Sequence, residues 1–437
     1  MLPVAEERLE AEELMRGLAL WLMAMAVALL PVGAMAQGAV ADPALRAKAD
    51  ALVAILDGRG SYDTYFAASF RDKVPAAQLS AIAAQLKTAL GAPQKIETFT
   101  ATSAWSADLT VGYARGTASV RLVIDPAPPH AATGLLITGT APRDDSMAKL
   151  EAEFRALPGA SGFGLYALGQ GKPAPILEYR ADVAAPLGSA FKLWVLAELA
   201  RQVAADERHW ADVVTVGAPS LPSGVLQTWP AGSPVTVQTL ATMMISISDN
   251  TATDTLLTTL GRAKVDAMAA AAGGSVPVMT TREMFALKGD AALTKAWAAG
   301  SVDARRTLLV DNAVKISTGK LDPTVFAGKP VAIDSVEWFA SPAAMAGLLD
   351  RLRTADPTTR AILAINPGID PAIAKRFRYV GFKGGGEPGV VALDYLVQAK
   401  DGRWYAATGN WHRADGPVND MRFAGLMGRA LTLLAGR

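Results

Sequence analysis

The chain has 437 residues, enough for two domains with buried cores, and its 42 Lys+Arg nearly balance 41 Asp+Glu, leaving no field to draw nucleic acid or an anionic membrane. Cysteine is absent, which excludes disulfides, thiolate metal sites and cysteine nucleophiles, so any nucleophile is an oxygen or an amine. The three histidines, His130, His209 and His412, have no zinc-site spacing, and no metal or phosphate-loop pattern calls for a cofactor.

In chain order, residues 18–32 form one apolar run after Arg16 and before the small-x-small Ala34-Met35-Ala36. At about 15 residues the run is short of the ~20 that span a bilayer, so residues 1–36 are expected to be a cleavable secretory signal that leaves no stable membrane anchor. Residues 1–14 carry Glu6, Glu7, Glu10, Glu12 and Glu13 where a signal should be positive. Met15-Arg16-Gly17 is the better start, and 1–14 reads as a mis-start or spare extension. Removing 1–36 takes away two Arg and five Glu and leaves a mildly basic chain of net +4. Export without cysteine suits a periplasmic or secreted protein.

Residues 38–140 are expected to form a small α+β domain. Leu45, Ala49, Leu52, Val53 and Leu56, then Leu79, Ile82, Ala83, Leu86 and Leu90, keep the spacing of helical apolar stripes. Thr/Val/Tyr-rich segments near 95–104, 107–115 and 118–125, then 134–138, predict an antiparallel sheet. This order is similar to the cone-shaped fold of the steroid-isomerase-like or nuclear-transport-factor-like group. Residues 139–145 read as a linker. A second domain over 146–437 starts with a helix at 146–157 and a hairpin of 163–168 with 176–180. A helical middle runs to about 370, strands follow at 390–400 and 403–411, and a helix ends the chain. Strands at both ends of a helical middle predict one sheet assembled from distant segments.

Ser189-Ala190-Phe191-Lys192 opens an apolar helical run, so Ser189 and Lys192 at i and i+3 share a face. A serine at a helix N-terminus sits where developing negative charge is favoured, and a lysine buried among Phe191, Leu193 and Trp194 is pushed toward neutrality and can take the serine proton. Two other segments, Ser146 to Lys149 and Ser317 to Lys320, also read S-x-x-K, so the pattern alone does not select one. Ser189 is singled out by two later elements. Ser248-Asp249-Asn250, 59 residues on, offers a hydroxyl to relay a proton and an amide to bond a substrate carbonyl or Lys192, with Asp249 expected to fix loop geometry. Lys383-Gly384-Gly385-Gly386 offers a positive charge beside that serine and glycines on a strand that a ligand approaches closely. Alone, the first reads equally as a helix cap and the second as a glycine turn.

In this order the three elements resemble the signature of class A β-lactamases and penicillin-binding proteins over about residues 150–437. The resemblance extends to Ser223-Gly224-Val225-Leu226-Gln227 and to the segment Met244 to Ala252. With the front domain, the build is similar to the two-domain β-lactamase-like protein of clavulanic-acid biosynthesis. The resemblance implies an antiparallel sheet flanked by helices with an all-helical subdomain, and a serine hydrolase acting on a β-lactam or a related amide or ester. Ser189 would attack, Lys192 would take its proton, and Ser248 with Lys383 would protonate the leaving nitrogen. Asn250, Gly384, Gly385 and Gly386 would bind substrate, the oxyanion lying between the Ser189 and Gly386 backbone N–H groups. Two departures stand out: Gly384 replaces the usual Thr or Ser, and no E-x-x-L-N motif supplies a deacylating glutamate. Glu283 is the nearest candidate and reads as structural, paired with Arg282. A D-alanyl peptidase, an esterase, or a ligand-binding protein with a vestigial pocket are the alternatives. Trp229, Trp338 and Tyr405 read as core residues rather than pocket walls.

Overall fold

The structure, a computed structural model, describes residues 40–169, 171–230, 232–319 and 328–437. The expected signal segment and Lys320 of the third S-x-x-K lie outside the described residues.

Helix α1 (Pro43–Leu56) starts where Asp42 Oδ1 accepts the Ala44 N–H at 2.8 Å and Pro43 fills the first position. It buries Leu45, Ala49, Leu52, Ile55 and Leu56; α2 (Ala76–Leu90) buries Leu79, Leu86 and Leu90. Strands β1 (Pro93–Ser103), β2 (Ser106–Tyr113), β3 (Gly116–Ile124) and β4 (Ala132–Pro142) follow as an antiparallel meander in sequence order. Along β3 every second residue is buried, including Ala118, Val120, Leu122 and Ile124, because one face meets the helices. Tyr65, Phe66 and Phe70 complete this core. Helices before an antiparallel sheet is the α+β order expected here.

Ser146 caps α3 (Met147–Arg155) by accepting the Lys149 N–H, while Lys149 Nζ pairs with Asp144, so the first S-x-x-K is a helix cap and a surface ion pair. Strands β5 (Ala160–Leu168) and β6 (Ala174–Tyr179) meet β7 (Phe377–Glu387), β8 (Val390–Ala399) and β9 (Trp404–His412) in one antiparallel sheet of order β7-β8-β9-β5-β6. The pairing of β9 with β5, Trp404 opposite Leu168 through His412 opposite Ala160, joins the distant segments. These strands are apolar on both faces because both are covered. On one side lie α3 and the last helix, packed on Phe154, Phe163, Tyr395, Trp411 and Phe423. On the other lie α4 (Lys192–Ala204) and the helical region α5 (Val237–Ser246), α6 (Asn250–Leu260), α7 (Arg262–Ala271), α8 (Thr281–Lys288), α9 (Ala291–Ala299), α10 (Val302–Asp311) and α11 (Ala313–Thr318). Helices α12 (Pro342–Arg353) and α13 (Pro357–Leu363) precede β7, and α14 (Asp420–Ala435) ends the chain.

The two units touch where α14 packs on β4 and Thr138 Oγ1 donates to Asp370 Oδ2 at 3.0 Å. The expected linker at 139–145 is strand as far as Pro142, and beyond it Arg429 of α14 grips Asp145 through two nitrogens, at 2.8 and 2.7 Å, and Glu153 at 2.7 Å. Among the described residues no helix is long and apolar enough to cross a membrane.

Candidate active site

The turn that carries Ser189 is strapped by a short strand pair. Ala185–Pro186 pairs antiparallel with Phe339–Ala340, and the Leu187 N–H donates to Trp338 O at 2.9 Å. A 3-10 turn, Gly188–Phe191, then leads into α4. In such a turn residues i and i+3 eclipse, so Ser189 and Lys192 keep the shared face expected of an α-helix. Phe191 stacks on Trp338 at 3.8 Å, and every residue from Lys192 to Ala200 is buried, which makes α4 the central helix of the core. Ser189 is half-buried, while Lys192 is wholly inside.

Lys192 Nζ lies 2.7 Å from Ser248 O, 3.1 Å from Ser248 Oγ and 2.7 Å from Asn250 Oδ1. Burial above all, and then the charge of Lys383, holds its pKa well below the usual lysine value, with Asp254 and Asp249 opposing. A neutral amine has two N–H groups for the two carbonyl oxygens and a lone pair for the Ser248 hydroxyl. No hydrogen bond joins Lys192 to Ser189 Oγ in this structure. Asn250 thus bonds Lys192, one of the two partners expected for it, and its Nδ2 donates to Leu221 O at 3.0 Å.

Ser248 stands between α5 and α6 with φ +58, a left-handed backbone that turns its carbonyl toward Lys192. Asp249 does what was expected of it: Oδ1 caps α6 at Ala252 N, and Oδ2 accepts from Val225 N at 2.7 Å and Leu226 N at 2.9 Å. From the strand side, Lys383 Nζ donates to Ser248 Oγ at 3.1 Å and to Gly384 O. Burial lowers Lys383 to about 7, with Asp394 opposing. One hydroxyl thus links two buried amines, a short path for a proton.

Gly385 is where strand and turn meet. A Cβ there would lie 2.0 Å from Leu187 O and 2.5 Å from Ser189 N, so only glycine lets β7 come this close. Gly386 is exposed beside the turn, and a Cβ on Gly188 would sit 2.8 Å from its nitrogen. Gly384 faces the other way: the place of its missing side chain is taken by Phe382 Cζ, 2.8 Å from that Cβ position, and Leu393 Cδ2 at 3.0 Å. The corner at Gly384 is therefore apolar.

Among the buried acids that escaped the sequence reading are Asp394 and Asp254. Asp394 lies directly opposite Lys383 in the β7–β8 register, 2% exposed, with Oδ2 lacking a hydrogen-bond partner among the described residues. Burial holds its pKa well above the carboxylate range, against the pull of Lys383. Its signal was one acid inside the apolar run Val390 to Val397. Asp254 accepts from Ser220 Oγ at 2.6 Å, Thr281 N at 2.7 Å and Arg282 N at 3.0 Å, so it anchors α8 to α6.

Glu283 is structural, but its partner is Arg262 at 2.7 Å, not Arg282. It closes a capping box with Thr280, while Arg282 donates to the carbonyls of Ile316, Pro219, Ser317 and Gly319. Trp338 and Tyr405 are core residues as expected, whereas Trp229 is 41% exposed. No group of His, Asp or Glu among the described residues is arranged to hold a metal ion.

The model of the Beta-lactamase enzyme family matches residues 145–364, half the chain, and stops short of Lys383 and its glycines. Among solved structures, a β-lactamase from Sphaerobacter thermophilus is 22% identical, covering 66% of this chain and 97% of its own, with TM-score 0.45. PBP-A is 17% identical over 66% and 94%, with TM-score 0.45. A β-lactamase from Chitinophaga pinensis is 18% identical over 66% and 97%, with TM-score 0.42. No curated protein matches. The chain belongs to the β-lactamase enzyme family.

Proposed function

We propose that the protein is an exported serine hydrolase that opens a β-lactam or a related amide or ester through an acyl-enzyme at Ser189. The observation that carries the reading is the hydrogen-bonded path Lys192–Ser248–Lys383 between two buried amines, with Lys192 three residues after the half-buried Ser189. Ser189 Oγ attacks the acyl carbon as its proton passes to Lys192, and the oxyanion gathers at the Ser189 and Gly386 N–H groups. As the C–N bond breaks, Ser248 gives its proton to the departing nitrogen and is reprotonated from Lys192, with the Lys383 charge steering the transfer. A water then releases the acyl group. Glu283, tied to Arg262 and Thr280, does not serve as the base for that water, so release is the slow step.

The apolar corner at Gly384 favours a second reading, an esterase whose substrate has no carboxylate at that point. The front unit fits an accessory role, with the nuclear-transport-factor-like order of its elements, and export to the periplasm fits the apolar run at 18–32. Hydrolysis of nitrocefin and of p-nitrophenyl acetate by wild type and Ser189→Ala tests the proposal. Nitrocefin turnover lost in the variant supports the lactam reading, and ester turnover alone supports the esterase. Turnover that survives Ser189→Ala would sink the assignment.

A further inference from the structure

Behind the nucleophile turn lies a charged cluster that the proposed reaction does not use. Lys288 ends α8 with its side chain wholly buried, and Glu337 is equally buried. Lys288 Nζ lies 3.3 Å from Glu337 Oε1 and also bonds Glu387 Oε1, whose side chain is 10% exposed. Buried charges are costly unless paired and hydrogen-bonded, and well-packed apolar residues often stabilise a core as well. Stability alone is therefore a weak reason for three ionisable groups here. What the cluster does hold is backbone. Glu337 Oε2 accepts the Gly188 N–H at 3.1 Å and the Trp338 N–H at 3.2 Å, which fixes the Leu187–Gly188 peptide, one before the peptide that carries the Ser189 N–H. Glu387 directly follows Gly386 at the end of β7. The Ser189 donor is thus one residue from a backbone N–H held by Glu337, the Gly386 donor is one residue from Glu387, and Lys288 ties the two carboxyl groups together. The turn and the strand are held close enough that a Cβ on Gly188, which has φ +48, would lie 2.8 Å from Gly386 N.

We propose that Lys288, Glu337 and Glu387 are positioning residues that set the separation of the Ser189 and Gly386 N–H donors. The inference rests on the acyl-transfer reading of the site and extends it to residues 49 and 99 positions apart in the chain.

The test compares wild type, Lys288→Met, Lys288→Arg and Glu387→Gln. One readout is the single-turnover acylation rate with nitrocefin, separated from the pre-acylation dissociation constant. A second is affinity for phenylboronic acid, whose boron bonds Ser189 Oγ while the hydroxyl proton goes to Lys192, leaving a tetrahedral oxygen in the oxyanion site. Misplacement by about 1 Å costs about 10²-fold, so Lys288→Met is expected to lose about that factor in acylation and in boronate affinity, with the pre-acylation constant kept. Lys288→Arg, which restores the charge, is expected to recover at least about tenfold of it. Lys288→Met at wild-type values in both readouts, with only a lower melting temperature, overturns the proposal. So does Lys288→Arg that folds and is as impaired as Lys288→Met. If Lys288→Met does not fold, Glu387→Gln decides on the same two readouts. A wild type inert to nitrocefin whose boronate affinity falls in Lys288→Met would refute the lactam reading and leave the positioning role standing.

Discussion

Gly385→Ala puts a methyl group where the turn that carries Ser189 leaves no room. Its Cβ would lie 2.0 Å from Leu187 O, 2.5 Å from Ser189 N and 2.6 Å from Ala190 N, all backbone atoms that cannot rotate away. Ordinary contact begins near 3.4 Å, so β7 and the turn must part by about 1 Å or more, and they carry the two N–H groups assigned to the oxyanion. A displacement of that size at a reacting centre costs about 10²-fold in rate. The acylation rate with a chromogenic cephalosporin is therefore expected to fall by at least about that factor, measured on protein whose fold is checked by near-UV circular dichroism. Gly347→Ala in α12 is the control: nothing lies within 4 Å of its Cβ position, and a helix gains up to about 1 kcal/mol from the change. Gly385→Ala that acylates at the wild-type rate would refute the reasoning, because it would mean that the separation of turn and strand does not govern the chemistry.

Three further outcomes are expected. Replacing Lys383 by methionine removes the like charge that helps to hold Lys192 below its usual pKa, so Lys192 keeps its proton longer and the acid limb of the acylation profile moves to higher pH; Lys383→Arg, which keeps the charge, leaves the limb in place. Trp338→Ala removes the stacking on Phe191 and the indole bond to Met279 O at 3.0 Å, and a cost of about 3–5 kcal/mol is expected from urea denaturation. Gly384→Thr does not tighten penicillin G binding, because Phe382 and Leu393 already fill the corner; a lower dissociation constant in that variant would contradict the apolar corner.

What the sequence made legible was local. The stripe of α1, the alternation of β3 and the ends of β8 and β9 all follow from periodicities of a few residues, and the structure places them within a few positions of the expected ones. Ser189, Lys192, Ser248 and Lys383 are singled out because three ordered motifs constrain one another, and the structure brings the three elements together where Lys192 and Lys383 both bond Ser248 Oγ. The missed features are pairings over long sequence distance, which leave no local trace. Glu283 was matched to its neighbour Arg282, yet α7 offers Arg262 across the bundle, and Arg282 instead satisfies four carbonyls. Asp394 was visible as an oddity in an apolar strand, but only the β7–β8 register sets it opposite Lys383. The Lys288, Glu337 and Glu387 cluster unites a helix end, a strap and a strand end, and none of these segments carries a motif.

The most direct measurement is intact-protein mass spectrometry over time, on wild type and Ser189→Ala, after mixing with penicillin G. The account predicts an adduct of the whole drug mass on wild type alone, decaying slowly because Glu283 is tied to Arg262 and Thr280. An adduct that also forms on Ser189→Ala would contradict it. So would wild type that neither binds nor consumes penicillin or a cephalosporin.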